Sequence, residues 1–122
     1  MNEIILKMIE IQTQLRIFHW QTKMYGKHIA YGSKYDAFDG LIDTFAETVM
    51  GKMAGERLTF SGMSVKLADT GEVNVEEWVA KNIKFLENLT NILDNKKHSD
   101  LLNIRDEMMQ ELNQLNYLLT LK

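Results

Sequence analysis

Six side chains in the first half of the sequence are of the types that bind metal ions, and most of them share one helical face. They are His19, His28, Asp36, Asp39, Asp43 and Glu47. On a helical wheel at about 100° per residue, the last five fall within an arc of about 100°. Asp43 and Glu47 lie one turn apart, so both carboxylates could reach a single cation.

The chemistry of these ligands favours particular metals. Neutral imidazole together with hard carboxylate oxygens suits iron, manganese or zinc better than copper(I) or a sulfur site. The four acids form one ridge beside the apolar face of the helix, which centres on Phe38 and Phe45. We call Asp36, Asp39, Asp43 and Glu47 the acidic ridge. Such a ridge is also typical of a solvated helix face.

Two predicted helices position these groups. Residues 3–24 repeat apolar side chains at steps of three and four, which is the helical period. Residues 25–27 are a predicted break, with Gly26 suited to the left-handed conformation that ends helices. A second helix is predicted from about residue 28 to about residue 57.

The second half of the chain predicts another pair of helices. Asn74, with Glu77 three residues on, has the pattern of a capping box that begins a third helix. This helix ends before a tight turn over residues 95–98, after which Ser99 or Asp100 caps a last helix. Both turns within the pairs are short, so the helices of each pair are expected to be antiparallel.

Residues 58–74 form a long predicted connection between the two pairs, with one short helical turn. A connection of this length can cross the whole bundle, so that the third helix runs parallel to the second. Two hairpins joined by one long crossover are the ferritin-like arrangement. The expected fold is therefore all-α, a ferritin-like four-helix bundle of up-down-down-up topology, in one domain over residues 1–122.

The composition excludes several classes of protein. The 122 residues include no cysteine, which excludes disulfides and thiolate metal sites, and no proline, which suits long helices. No apolar run approaches the roughly 20 residues that a membrane span needs. The net charge of −3 gives no general attraction to nucleic acid. The acid at Glu3 does not fit the basic start of a signal peptide, so a cytoplasmic location is expected.

The order of these motifs resembles the Dps family of mini-ferritins over nearly the whole chain. His19-Trp20, a short loop, His28 and then Asp43-Thr44-Phe45-Ala46-Glu47 match that family's signature. The resemblance implies a ferroxidase centre shared between subunits, with the histidines from one subunit and Asp43 and Glu47 from its two-fold partner. Trp20 would then pack near the metals. Iron(II) would be oxidised by peroxide or oxygen, and the product stored in a shell of identical subunits.

The chain also departs from the family pattern. An additional family carboxylate, one turn after the second histidine, falls on Gly32, although Asp36 or Asp39 could substitute for it. The loop between the histidines is shorter than in the family, and no lysine-rich tail precedes the first helix, so DNA binding is not expected. These departures favour an alternative: a ferritin-like bundle that no longer binds iron and serves as a structural or interaction module. A helical adaptor with exposed apolar residues is a third possibility.

Overall fold

The computed structural model describes all residues 1–122, and it is all-α with no strands. Its elements are α1 (Asn2–Gln21), α2 (Tyr25–Lys52), a short 3₁₀ helix (Thr70–Glu72), α3 (Val75–Ile92) and α4 (Ser99–Leu118). The prediction of four helices is confirmed, and so is the prediction of one short helical turn within the long connection. None of the helices combines the length and apolarity that crossing a bilayer requires.

The buried apolar side chains of all four helices form a single cluster of 20 residues. Phe18, Phe38 and Phe45 are its largest fully buried members. The predicted apolar face of α2 is therefore confirmed as a core face. Burial of each such side chain contributes roughly 1.5–3 kcal/mol, which makes this cluster the main source of stability.

The turn between α1 and α2 lies three residues earlier than predicted. Residues 25–27 are the first turn of α2, and the chain reverses over residues 22–24 instead. Thr22 and Met24 have extended backbone angles, and the Thr22 hydroxyl accepts a hydrogen bond from the Met24 amide at 3.3 Å. Because this turn needs no left-handed residue, the prediction that Gly26 ends the helix is wrong.

Helix α2 ends at Lys52, about five residues before its predicted end. Ala54 (φ 56°) and Gly55 (φ 86°) adopt the left-handed conformation there. The amide of Gly55 reaches back to the Met50 carbonyl at 2.8 Å, which satisfies one of the carbonyls that the helix end leaves free. The glycine that terminates a helix in this chain is thus Gly55 rather than Gly26.

The connection over residues 53–74 lies along α1 and is held by side chains of that helix. Gln14 donates to the Ala68 carbonyl and accepts from the Ala68 amide, both at 2.8 Å. Glu10 accepts from the Lys66 amide at 2.8 Å, while Asn2 donates to the Thr59 carbonyl at 2.6 Å. Further along, Gln21 accepts from Thr70 and donates to Asp69. From Asn2 to Gln21 along α1, the bonded residues of the connection advance from Thr59 to Thr70. The connection therefore runs in the same direction as α1.

Side-chain contacts also fix how α4 packs. Lys34 of α2 bonds to Glu111 at 2.8 Å, and Lys52, at the other end of α2, pairs with Asp100 at 3.1 Å. Helices α2 and α4 are therefore antiparallel. The buried Arg105 donates to the Leu86 carbonyl of α3 at 2.8 Å.

The predicted start of α3 is confirmed. The Asn74 side chain accepts a hydrogen bond from the Glu77 amide at 3.1 Å. The reciprocal pair of bonds that defines a capping box instead occurs at the 3₁₀ helix, between Asp69 and Glu72.

Candidate metal centre

The two histidines of the predicted site lie against each other where α1 ends and α2 begins. His19 is in the last turn of α1, and His28 is in the first turns of α2. Their rings are stacked, with centroids 3.8 Å apart and planes inclined by 17°. The three-residue turn between the helices is what allows residues nine apart in sequence to meet in this way.

Each histidine is held by a hydrogen bond to the backbone of the other. Nδ1 of His19 lies 2.6 Å from the His28 carbonyl oxygen, and Nδ1 of His28 lies 2.9 Å from the His19 carbonyl oxygen. A carbonyl can only accept, so in both rings Nδ1 must carry the proton. The lone pair of each neutral ring is then on Nε2, which is the arrangement that second-shell carbonyls impose on metal-binding histidines.

The stacking limits how the two rings could share a cation. A ring-nitrogen lone pair lies in the plane of its ring, and the two planes here are almost parallel. Two nitrogens that bind one ion at about 2.1 Å need lone pairs that converge on it. In the observed arrangement, His19 and His28 are therefore suited to bind separate cations, each completed by ligands from elsewhere.

Gly32 makes room for the His19 ring. A Cβ atom at this position would lie 2.9 Å from both Cε1 and Nδ1 of His19, a separation that real Cβ atoms essentially never show. No other glycine in the chain has a heavy atom within 4 Å of such a Cβ. Gly32 is thus part of the packing that positions His19.

Aromatic and cationic side chains surround the histidine pair. The Tyr35 ring lies edge-on to His19 at 5.2 Å, and the Arg16 guanidinium lies 4.9 Å from the Tyr35 centroid. Tyr25 stacks near His28 with ring centroids 6.3 Å apart. Trp20, which follows His19, is 66% exposed, so most of its side chain faces solvent.

The acidic ridge is exposed along its whole length. Asp36, Asp39, Asp43 and Glu47 all face solvent on α2. The ion pairs of the chain join Lys7 to Glu10, Lys34 to Glu111, Lys52 to Asp100 and Arg105 to Asp106, and none involves the ridge. Four carboxylates at helical spacing therefore remain without a cationic partner, and like charges one turn apart destabilise a helix by about 0.2–0.5 kcal/mol per pair.

The histidines and the ridge do not meet within one chain. Nowhere do three residues of the types His, Asp or Glu come close enough to hold one metal ion. Asp43 follows His28 by fifteen residues of the same helix, which separates the two along the axis by about 22 Å. The structure thus brings together only the two histidines of the predicted set.

Three residues near the histidines were missed by the sequence analysis. Arg16 and Tyr35 carried no signal, because their contacts depend on how α1 and α2 pack. Gly32 did carry one, since a glycine within a helical pattern often marks a close approach to a neighbouring group. In the sequence it was interpreted only as a missing carboxylate.

Comparison with known protein families gives one match. The model of a family of unknown function, DUF5856, matches residues 19–119, which is well over half of the chain and begins at the first histidine. No match was found among curated proteins or among solved structures.

Proposed function

We propose a function for this chain, which belongs to the DUF5856 family of unknown function: it is a Dps-like protein that binds and oxidises iron(II). The site would form between two copies of the chain. His19 and His28 would come from one copy, and Asp43 and Glu47 from the other. Asp36 and Asp39 could supply further oxygens, and Trp20 would lie beside the site.

The observation that carries this proposal is the reciprocal bonding of the two histidines. Each ring is fixed through Nδ1, so each presents an Nε2 lone pair in a defined position before any metal arrives. Imidazole nitrogen held in this way is a good ligand for iron, manganese or zinc. Preorganised ligands bind more tightly because less side-chain entropy is lost on binding.

A second copy is required because of the separation along α2. If two α2 helices pack in opposite directions around a two-fold axis, His28 of one copy faces the segment of the other copy that holds Asp43 and Glu47. The same operation creates two equivalent sites. The shared site would also place a cation beside the exposed carboxylates, which have no cationic partner within a single chain.

The direction of the helices supports the ferritin-like interpretation. The connection runs along α1 in the same direction, and α2 and α4 are antiparallel. We infer from these contacts that α3 runs parallel to α2, which gives the up-down-down-up arrangement of a ferritin-like bundle. Such a fold alone does not imply iron chemistry, because function depends on the site.

In the proposed reaction, iron(II) is the substrate. Two iron(II) ions would each give one electron to a molecule of hydrogen peroxide, which takes up two protons and leaves as two waters. The histidines and carboxylates would bind and orient the iron, and the carboxylates would stabilise the higher charge of the product. Molecular oxygen could serve as an alternative oxidant.

Anaerobic iron(II) titration tests the proposal, with tryptophan fluorescence as the readout. The Trp78→Phe background removes the second tryptophan, which packs edge-on against Phe18 at 5.2 Å. The remaining signal then comes from Trp20. Saturable quenching at one or more iron per chain, followed by fast oxidation when peroxide is added, is the expected result. Oxidation no faster than in buffer, without quenching, would exclude the ferroxidase function.

Substitutions can separate ligand loss from structural damage. In His28→Asn, the asparagine amide can still donate to the His19 carbonyl, but the Nε2 ligand is gone. We expect this variant to keep its stability within about 1 kcal/mol and to lose iron binding. Glu47→Gln should behave in the same way, whereas Glu107→Gln, an exposed acid on α4, is the matched control and should oxidise iron normally.

A structural module without iron is the second candidate function, and Gly32 favours it. The histidine pair joins the ends of α1 and α2 through two hydrogen bonds, which could by itself explain why both side chains are present. This alternative expects His28→Asn to leave self-association unchanged in a protein that ignores iron. Light scattering of the variant, beside the iron titration, distinguishes the two functions.

A further inference from the structure

An apolar groove lies between the start of α2 and the end of α4, and it borders the histidine pair through Tyr25. Its accessible volume is about 450 Å³. Met24, Tyr25, Ile29, Leu118 and Leu121 supply its apolar walls. This volume falls within the range of about 300–1,000 Å³ that is typical of pockets for small molecules.

Exposed apolar surface is concentrated in this groove. Nine large hydrophobic residues of the chain are exposed, and Met24, Tyr25, Ile29 and Leu121 of the groove are four of them. Their exposed fractions range from 51% for Ile29 to 78% for Tyr25. Scattered apolar residues need no explanation, but four of them around one groove make it a candidate binding surface.

The charged side chains that line the groove are both lysines. Lys27 and Lys122 contribute to its lining, and no aspartate or glutamate side chain does. Neither lysine takes part in an ion pair of the chain. This stands out because the whole chain has a formal net charge of −3. The unpaired Lys27 thus makes the groove complementary to an apolar molecule that carries a negative charge.

We propose that this groove binds a soluble amphiphile with a hydrocarbon tail and an anionic carboxylate head. The tail lies against Met24, Ile29 and Leu121, and Lys27 attracts the head. The concave shape favours a single small molecule over a membrane surface, which would require protruding rather than recessed apolar groups. The Ser33 hydroxyl is a further polar group in the lining.

Isothermal titration calorimetry with dodecanoate, below its micelle concentration, tests this proposal. Saturable binding of one molecule per chain is expected. Dodecyltrimethylammonium, which has the same tail with a positive head, and acetate, which has the head without the tail, should bind at least about tenfold more weakly. Equal binding of the cationic compound, or no saturable binding of dodecanoate, would overturn the proposal.

Variants locate the site. Ile29→Asp places a charge on an apolar wall and should weaken dodecanoate binding by at least about tenfold, whereas Ile92→Asp, at an exposed isoleucine of α3 outside the groove, should not. Lys27→Gln should weaken binding by about threefold, and Lys23→Gln, just outside the groove, by less. The proposal is refuted if the Ile29→Asp protein binds dodecanoate normally.

Two other occupants of the groove would also overturn the proposal. If light scattering shows that Ile29→Asp dissociates an oligomer and dodecanoate does not compete with assembly, a second copy covers the groove. If the protein binds vesicles of anionic phospholipid and ignores dodecanoate, the surface faces a membrane.

Discussion

Helices α1 and α2 form one hairpin, but the chain uses their outward sides differently. On α1, the side chains of Glu10, Gln14 and Gln21 are all bonded to the connection that lies over them. On α2, the acidic ridge has no ion-pair partner and nothing covers it. These polar groups on α1 therefore serve the fold, whereas the acidic ridge on α2 remains available to a ligand or to another copy.

The largest effect on stability is expected where a side chain of α1 that bonds to the connection is removed. Gln14→Ala deletes both hydrogen bonds to Ala68 and leaves its amide and carbonyl without partners. We expect a loss of about 2–3 kcal/mol in the free energy of unfolding, measured by urea denaturation. Gln110→Ala, at an exposed glutamine of α4, should change stability by less than about 0.5 kcal/mol. Similar effects in both variants would mean that α1 does not hold the connection through this contact.

Two glycine substitutions on α2 should change the stability of the protein in opposite directions. Gly40 is exposed with nothing near its Cβ position, so Gly40→Ala should stabilise the protein by about 0.5–1 kcal/mol. Gly32→Ala would collide with the His19 ring, and we expect a net destabilisation of about 1 kcal/mol despite the better helix former. Thermal unfolding measures the stability, and NMR of the His19 ring reports whether the stack is lost. Equal stabilisation by both alanines would show that the ring moves aside at no cost.

The contacts of Glu10 with Lys7 and with the Lys66 amide should make the free energy of unfolding depend on pH. Burial alone would raise the pKa of Glu10, but the Lys7 ammonium and the Lys66 amide outweigh it and lower the pKa below its ordinary value of about 4.5. The pKa of Glu10 is lower in the folded than in the unfolded protein, so the ionised carboxylate stabilises the fold. This stabilisation is present above the unfolded-state pKa and is lost as pH falls through the folded-state pKa. Wild type should be more stable than Glu10→Gln near neutral pH, by a few tenths of a kcal/mol or more. The difference should vanish in acid, and a difference that persists there would point to packing instead.

The smallest effect on stability is expected in the acidic ridge of α2, where a substitution should stabilise the protein. Asp43 has a like charge one turn away on each side, at Asp39 and at Glu47. Asp43→Asn should therefore raise the free energy of unfolding by a few tenths of a kcal/mol, measured by urea denaturation. Under the proposed function, the same variant loses iron oxidation. A variant that is less stable than wild type would show that Asp43 has a structural partner, which would weaken the contrast between the two helices.

The fold could be predicted well from the sequence where local rules decide it. Apolar periodicity located four helices, and the side chain of Asn74 caps α3 as expected. Helix ends were less predictable, because the left-handed conformation that ends α2 falls on Ala54 and Gly55, the first of which is unusual for it. The course of the connection along α1 depends on tertiary hydrogen bonds, so periodicity could not reveal it.

The candidate site was predictable only in part. The helical wheel placed the acidic ridge beside the apolar face, between the bundle centre and the solvent, whereas all four acids are exposed in the structure. The contact between His19 and His28 was not foreseeable from spacing, since it depends on the turn at residues 22–24, and the turn was predicted three residues too late. The shared centre with Asp43 and Glu47 remains a prediction, because a single chain cannot show it.

The reciprocal bonds of the histidine pair have a consequence for the ends of two helices. The last carbonyls of a helix normally lack partners, and helix ends fray as a result. His28 supplies such a partner to the His19 carbonyl at the end of α1, so backbone amides around the hairpin turn should exchange with solvent more slowly than those at the end of α4. Opening of this corner would release both imidazoles at once. We therefore expect the hairpin to fray and its two ring nitrogens to be lost in a single cooperative event.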